Sequence, residues 1–287
     1  MSAPPAATKA GAPTLPAKLP NASTDPAGET LEEVCSRLNQ KVTGFLEMPA
    51  KTDLSRRVQE QTRISLGVIE KALEEYTLDQ LSLSYNGGKD CLVLLILLLS
   101  ALHRVSATSH NTSSSASRVT LTPFTRIPSV YVMSSSPFRE VDEFVDLSVD
   151  EYHLSLYRYS APIKEAFRRY LEDQPQVKAV FVGTRRTDPH GEFLTHFDKT
   201  DHGWPEFMRV HPVIDWHYQE VWGFLRELEI PYCPLYDKGY TSLGGTTDTH
   251  PNPVLAEHSN GGESGEVHFR PAYELIEDEQ ERLGRDR

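Results

Sequence analysis

The sequence predicts an α/β fold: a mostly parallel, doubly wound sheet with helices on both faces. Three observations carry that expectation. Short apolar runs of strand length alternate with helix-period segments between positions 81 and 182, and that order requires parallel pairing through crossover helices. Two glycines, a lysine and an aspartate join the first run directly to a long oily segment at 92–102. A third apolar run, 177–182, is bounded by Gly183, as a strand buried on both faces would be.

Residues 1–29 are rich in Ala, Pro and Thr, carry no periodic apolar pattern, and read as a disordered tail. Thr30 then opens a capping box, T-L-E-E, with Glu33 three residues on. Leu31, Val34, Cys35, Leu38, Val42, Phe45 and Leu46 fall on one helical face. A second helix is expected at 54–76 with Asp53 as its cap. A strand at 81–85 leads through Asn86, Gly87, Gly88, Lys89 and Asp90 into the oily helix. Residues 104–125, rich in Ser, Thr and Asn, are expected to be a polar loop insertion. Strands at 130–133 and 154–157 follow, with helices at 138–149 and 163–171, before the buried strand at 177–182. From Thr184 onward loop and short helix are expected, with a polar, glycine-rich stretch at 253–265. No internal repeat is present, and 30–287 reads as a single domain.

A formal net charge of −12 argues against a surface built for nonspecific nucleic-acid binding, though it leaves room for a small basic pocket holding one anionic metabolite. The three cysteines, Cys35, Cys91 and Cys233, form no C-x-x-C pair, which disfavours zinc and dithiol chemistry and suits a reducing compartment. The first 30 residues lack the apolar run of a signal peptide and the arginines of a mitochondrial presequence. The oily segment at 92–102 is too short to span a bilayer and reads as a buried helix. The expected setting is cytoplasmic, without membrane or nucleic acid as partner; a monomer is compatible with all of this. None of His190, His202, His211 or His250 has helical metal-ligand spacing with a second His or Glu, so no zinc site is expected. The acidic run at 277–281 is explained by a solvated helix face.

The turn at 86–90 carries the most chemistry. The first turn of a helix leaves backbone N–H groups unpaired, and glycines let that backbone approach a ligand closely. The helix dipole and Lys89 both favour negative charge there. The reading is a phosphate cradle; the bland alternative, an ordinary strand-to-helix turn with a solvated lysine, has even odds on the turn alone. Asp188, at the carboxyl edge of the last strand, is placed to hold Mg2+ or orient a phosphate, or merely to cap the turn before Pro189. Arg185 or Arg186 is a phosphate partner or a solvated loop residue. Trp204 offers an indole face for ring stacking, worth about 1 kcal/mol beyond burial, or plugs the core. Arg282 and Arg285, three apart, share a face if that end is helical, and meet an anion or simply favour a helix C-terminus.

The stretch Ser84-Tyr-Asn-Gly-Gly-Lys-Asp90 resembles the S-x-G-G-K-D pyrophosphate loop of the ATP pyrophosphatase superfamily, which includes PAPS reductases, thiouridine synthases and eukaryotic FAD synthases. It differs from the G-x-x-x-x-G-K-[ST] loop in being shorter and in having Asp90 where that loop has a hydroxyl. Three further stretches narrow the resemblance: FVGTRRTDPHGE at 181–192, TDHGWPEFMRVHPVIDW at 200–216, and YDKGYTSLGGTTDTHPNPVL at 236–255, with FRPAYELIEDEQERLGR ending at Arg285. Together they make the region from Thr30 onward similar to fungal FAD synthases, or FMN adenylyltransferases.

The resemblance implies a PAPS reductase-like, adenine nucleotide α hydrolase-like fold. It also implies a reaction in which FMN and ATP give FAD and pyrophosphate with Mg2+. It carries catalytic roles onto Asn86, Lys89, Asp90 and Asp188, with Asp90 or Asp188 holding the metal. ATP contacts fall on Ser84, Tyr85, Gly87, Gly88, Ser134, Ser135 and Arg185. Flavin contacts fall on Asp201, Trp204 and Arg209, with Asp201 placed to receive the flavin N3–H. They also fall on Arg282 and Arg285, from a final helix folded back over the flavin. The rivals are a PAPS reductase, which needs a nucleophilic cysteine near the C-terminus where none follows Cys233, a thiouridine synthase, and a non-catalytic nucleotide-binding protein of the same fold.

Overall fold

A computed structural model of the chain describes residues 28–111, 125–257 and 267–286. Helix α1 (Leu31–Glu47) starts as its sequence indicates: Thr30 Oγ1 accepts from the Glu33 N–H at 3.3 Å, while the Glu33 carboxylate accepts from the Thr30 N–H at 2.7 Å. Leu31, Val34, Cys35, Leu38, Val42 and Phe45 are buried along one face, and Leu46 is partly so. Helix α2 (Asp53–Glu75) is capped one residue earlier than expected. The Thr52 hydroxyl accepts from the Ser55 N–H at 3.0 Å, and Asp53 is an exposed first-turn residue paired with Arg56. A hydroxyl and a carboxylate both serve as caps, and here the backbone enters the helix one position sooner.

Helix α3 (Lys89–Asn111) is the axis of the core. It packs against α1, α2 and a later helix, α6 (Tyr218–Glu227). Every residue from Leu92 to Leu99 is fully buried or within 1% of it, so truncating one of its leucines to alanine would cost about 2–5 kcal/mol. The helix is longer than expected, absorbing 104–111 of the stretch assigned to loop. Over residues 89–107 it has the length and hydropathy of a membrane span, but 67% of that window is buried inside the protein. It is a core helix. The rest of the expected insertion, 112–124, lies outside the described residues, as does the expected tail at 1–27 and, from the glycine-rich stretch, 258–266.

The six-stranded sheet has the order β3-β2-β1-β4-β6-β5. Its strands are β1 (Leu81–Ser84), β2 (Ile127–Val132), β3 (Leu154–Tyr159), β4 (Ala179–Phe181), β5 (Phe197–Lys199) and β6 (Met208–Val210). All neighbours are parallel except β5, which runs antiparallel to β6 at the edge. Helices α4 (Arg139–Glu151) and α5 (Ile163–Asp173) make the crossovers. The two-residue period of a strand sorts the core: Leu81 and Leu83 join the large cluster around α3, whereas Ser82 faces α5 and accepts from the Tyr170 hydroxyl at 2.7 Å. Val130 and Val180 join the smaller cluster with Phe167, Tyr170 and Phe207 on that second face.

Strands β5 and β6 and helix α6 correct the expectation of mostly loop after Thr184. At three residues each, β5 and β6 are too short to show a periodic pattern; pairing supplies what pattern does not. The C-terminal stretch also departs from expectation. Residues Asp278–Gly284 form a 3-10 helix, three residues per turn, rather than an α-helix.

His211, the residue after β6, is buried with neither ring nitrogen hydrogen-bonded. Burial, aided by the nearby Arg209 charge, pushes its pKa from 6.5 down to about 4. The folded value lies below the unfolded one, so the neutral ring's contribution is complete above pH 6.5 and is lost as pH falls toward 4. Urea unfolding at pH 7 and pH 4.5 should show a pH-dependent loss in the wild type about 2–3 kcal/mol larger than in His211→Phe.

Candidate active site

The chain leaves β1 toward β2 and β3 on one side of the sheet and returns to β4 and β6 on the other. The crevice between the carboxyl ends of β1 and β4 is therefore the topological switch point, where open α/β sheets bind ligands. The loops at 85–88 and 182–184 border it. Two cavities open there. The polar one, about 480 Å3, is lined by Asn86, Gly88, Lys89, Asp90, Ser134, Asp188, Arg282 and Arg285 among others. The second, about 330 Å3, is walled by Tyr85, Phe167, Trp204, Phe207 and Arg209. Ser84, Asn86, Val132, Ile163, Val182 and Thr184 line both.

The two glycines of the turn serve different ends. Gly87 has φ +75°, a conformation side chains rarely adopt, and a Cβ there would lie 2.9 Å from Val145. At Gly88 a Cβ would lie 2.9 Å from Asn86 Oδ1. That oxygen accepts the Gly88 N–H at 3.0 Å and the Cys91 thiol at 3.0 Å. The Lys89 N–H is taken by the buried Tyr236 hydroxyl at 2.8 Å, and the Asn86 N–H points to Cys91 Sγ at 3.5 Å. Several amides expected to be free for an anion are thus satisfied within the protein. With Asn86 Oδ1 committed, its Nδ2 is a donor with no partner among the described residues, at the junction of the two cavities.

Beneath the turn lies a closed circuit of alternating charge. Lys89 Nζ, almost fully buried, donates to Asp90 Oδ2 at 2.9 Å and to Glu281 Oε1. Arg185, with no exposed surface, donates through Nη2 to Glu281 Oε2, and its Nε lies 2.9 Å from Asp90 Oδ1. That last contact is off the N–H direction and is coulombic rather than a hydrogen bond. Burial alone would raise the Asp90 pKa; Arg185 and Lys89 outweigh it and hold the carboxyl below its usual range. Burial likewise disfavours charge on Lys89, but Asp90 and Glu281 outweigh it and raise the pKa. The circuit is anchored further by Asp188, whose Oδ2 accepts the Arg185 N–H at 2.8 Å, and by Asp278, which accepts the Tyr218 N–H at 2.6 Å and faces Arg185 Nη1 at 3.7 Å.

The 3-10 geometry decides which C-terminal charges face where. Side chains three apart eclipse in such a helix. Asp278, Glu281 and Gly284 fall on the inner face; Glu279, Arg282 and Arg285 fall on the outer one. A Cβ at Gly284 would sit 2.3 Å from His250 O, so the segment lies directly on the 240–252 loop. Arg285 packs over Gly244 and bonds Leu243 O at 3.2 Å and Asp248 Oδ2 at 3.2 Å. Arg282 has no such partner among the described residues.

Several sequence assignments move. Arg285 and Arg282 border the polar cavity with the glycine turn, away from Trp204. Arg185 borders neither cavity and is committed to carboxylates, which removes it as an ATP contact. Asp90 lines the polar cavity, with Oδ1 buried beside Arg185 and Oδ2 accepting from Lys89. Asp188 keeps its place in the polar cavity. Ser134 borders it too, while Ser135 and Gly87 do not. Tyr85 turns its phenol into the core, donating to Ser148 Oγ at 2.8 Å. Trp204 and Arg209 wall the second cavity as expected of neighbours. Asp201 is outside the lining, its exposed carboxylate 3.4 Å from Nη1 of Arg209, which lines the cavity. Arg209 Nε is buried without a partner. Glu281, Tyr236 and Asp278 were not singled out from sequence, and the acidic run at 277–281 is not simply a solvated face. The three-residue spacing of Asp278, Glu281 and Gly284 was the signal available.

A family model for the phosphoadenosine phosphosulfate reductase domain matches residues 80–174 and 158–251. A Schizosaccharomyces pombe protein named probable FAD synthase is 38% identical over 250 residues, 87% of this chain and 88% of that protein. A Caenorhabditis elegans protein of the same name is 36% identical over 219 residues, 76% of this chain; the match spans 39% of that longer protein. The crystal structure of Candida glabrata FMN adenylyltransferase with FAD and inorganic pyrophosphate matches with a TM-score of 0.81 at 28% identity, covering 89% of this chain and 99% of that one.

The buried circuit and the surface pair beside it should respond very differently to mutation. Arg185→Met leaves Asp90 and Glu281 with Lys89 as their one shared cation and should lower unfolding stability by about 3–5 kcal/mol. Arg186→Met, which removes a half-exposed pair with Asp215 and hydrogen bonds to the Glu192 and Leu194 carbonyls, should cost about 1–2 kcal/mol. Parallel urea titrations of the two variants measure both.

Proposed function

This chain belongs to the FAD synthase family, and we propose that its two joined cavities carry out FMN adenylylation, with ATP as the AMP donor and FAD and pyrophosphate as products. The observation that carries this reading is the junction itself. A cation-walled polar cavity and an aromatic cavity share one wall, and Asn86 Nδ2 stands at the join. A triphosphate in the first and a flavin ring in the second would bring the FMN phosphate to the α-phosphorus at that wall.

The FMN phosphate is already an anionic nucleophile. One of its oxygens forms the new bond to the α-phosphorus as the bond to the bridging oxygen breaks and pyrophosphate leaves. No covalent enzyme intermediate is required, so the protein's contribution is alignment and charge stabilisation. Asn86 Nδ2 donates to an oxygen of the transferred phosphate. Arg282 and Arg285 face the departing pyrophosphate, and Lys89 adds its charge from behind the turn. Ser84 and Ser134 border the nucleotide. In the second cavity Trp204 and Phe207 flank the ring, Arg209 Nε supplies the buried unpaired donor, and Asp201 beside Arg209 accepts the ring N3–H.

Asp188 and Asp90 both line the polar cavity, each partly exposed and each already bonded to a cation, and either would offer Mg2+ one of the one or two protein carboxylates it prefers beside substrate phosphates. Bound there, Mg2+ would offset the triphosphate's negative charge. The same proposal takes residues 30–287 as one catalytic domain and the cytosol as its setting. Against a sulfonucleotide reductase stand the cysteines. All three are buried, and burial pushes each thiol up to about 12, leaving no thiolate nucleophile.

Incubation with FMN, ATP and Mg2+ should yield FAD and pyrophosphate in equal amounts, and PAPS with a thiol reductant should give no sulfite; the reverse result overturns the reading. Asn86→Ala and Asp188→Ala should each lower kcat by about 100-fold or more while changing the ATP KM by less than about threefold. Trp204→Ala should weaken FMN binding by about fivefold and relieve quenching of flavin fluorescence. Unchanged quenching would place the ring elsewhere.

A further inference from the structure

We propose that Glu281 is a positioning residue for this site, setting Lys89 behind the glycine turn and Arg282 in front of it through one buried carboxylate. The inference rests on the adenylyl-transfer reading above and names a residue that reading does not use.

Glu281 lies 192 residues from Lys89 in sequence, yet its two oxygens divide between Lys89 Nζ and Arg185 Nη2. The side chain is 5% exposed. Its backbone is held as firmly: Glu281 O accepts the Thr241 hydroxyl at 2.6 Å, and Asn252 Nδ2 donates both to Thr241 Oγ1 at 2.9 Å and to the preceding carbonyl, Gln280 O, at 2.8 Å. Arg282 follows directly, on the outer face of the same 3-10 turn, and borders the polar cavity. One residue thus ties together the start of α3, the end of β4, the 240–252 loop and the terminal arginines.

Lys89 has few alternatives. Apart from its two carboxylates, Nζ faces the Tyr218 ring at 5.1 Å. Without the Glu281 charge, Arg185 keeps Asp188 and Asp278, whereas Lys89 keeps only Asp90, which it shares with Arg185. The expected response is for Lys89 to move toward the one other source of negative charge, the ligand phosphates in the cavity. That strengthens its hold on product as well as on substrate, which slows pyrophosphate release and lowers turnover without weakening ATP affinity.

The test is a double-mutant cycle in the full chain, measuring FAD formation, with Glu281→Gln, Lys89→Met and both together. Glu281→Gln should lower kcat about 30-fold, leave the FMN KM within about twofold, and not raise the ATP KM. In the double variant the loss should match the larger single loss rather than the product of the two, and Glu281→Asp should recover a substantial part of kcat. Should Glu281→Gln fail to fold, Glu281→Asp takes its place in the cycle under the same criteria. Multiplying losses, or a Glu281→Gln kcat within about threefold of wild type, overturns the proposal. A wild-type chain that makes no FAD instead removes the activity it rests on, so the two failures are distinguishable.

Discussion

Everything at the site depends on one electrostatic constraint: two buried cations, Lys89 and Arg185, must share two buried carboxylates, Asp90 and Glu281. Taking four charges out of water is costly, and the attraction between them repays the cost only when the geometry is closed. The circuit is therefore weak evidence about stability and strong evidence about position. The four members come from three elements: Lys89 and Asp90 from the first turn of α3, Arg185 from the loop after β4, and Glu281 from the C-terminal 3-10 helix. Satisfying all four at once leaves one arrangement of those elements, and that arrangement puts the glycine turn, Asp188 and the terminal arginines around one cavity.

The sheet supplies the second constraint. Parallel strands on either side of β1 and β4 force the loops after them to diverge, and the gap is where both cavities form. Their chemistry differs because their walls do. The polar cavity is bounded by helix and loop termini, rich in backbone N–H groups and charge. The second lies over the smaller core cluster, where α5 and the 200–207 loop bring Phe167, Phe207 and Trp204 together; the two phenylalanine rings stack with centroids 5.1 Å apart.

The turn is internally satisfied, and this gives the loop a defined shape. Asn86 Oδ1 occupies the place of an anion oxygen for the Gly88 amide, and the Tyr236 hydroxyl does the same for Lys89. A cradle already shaped by such stand-ins pays less to organise around phosphate.

The sequence alone was sufficient for the parallel α/β class, the capping box at Thr30, the buried helix after the glycines and the strand-to-helix turn at 86–90, because these rest on local period and local turn chemistry. Motif resemblance also named Asp188, Trp204 and Arg209 as neighbours of a ligand, and they do line the cavities. It did not show that Arg185 and Asp90 meet in a buried charge circuit, or that Arg282 and Arg285 border the polar cavity. Those roles depend on which charges meet across nearly two hundred residues. An arginine in a loop reads the same whether its partner is a phosphate or Glu281, and an acidic run reads as a solvated face until a three-residue turn buries every third side chain. Local pattern determines which elements form; the tertiary structure decides what each charge is for, because a buried charge takes its role from the opposite charges that folding brings within reach.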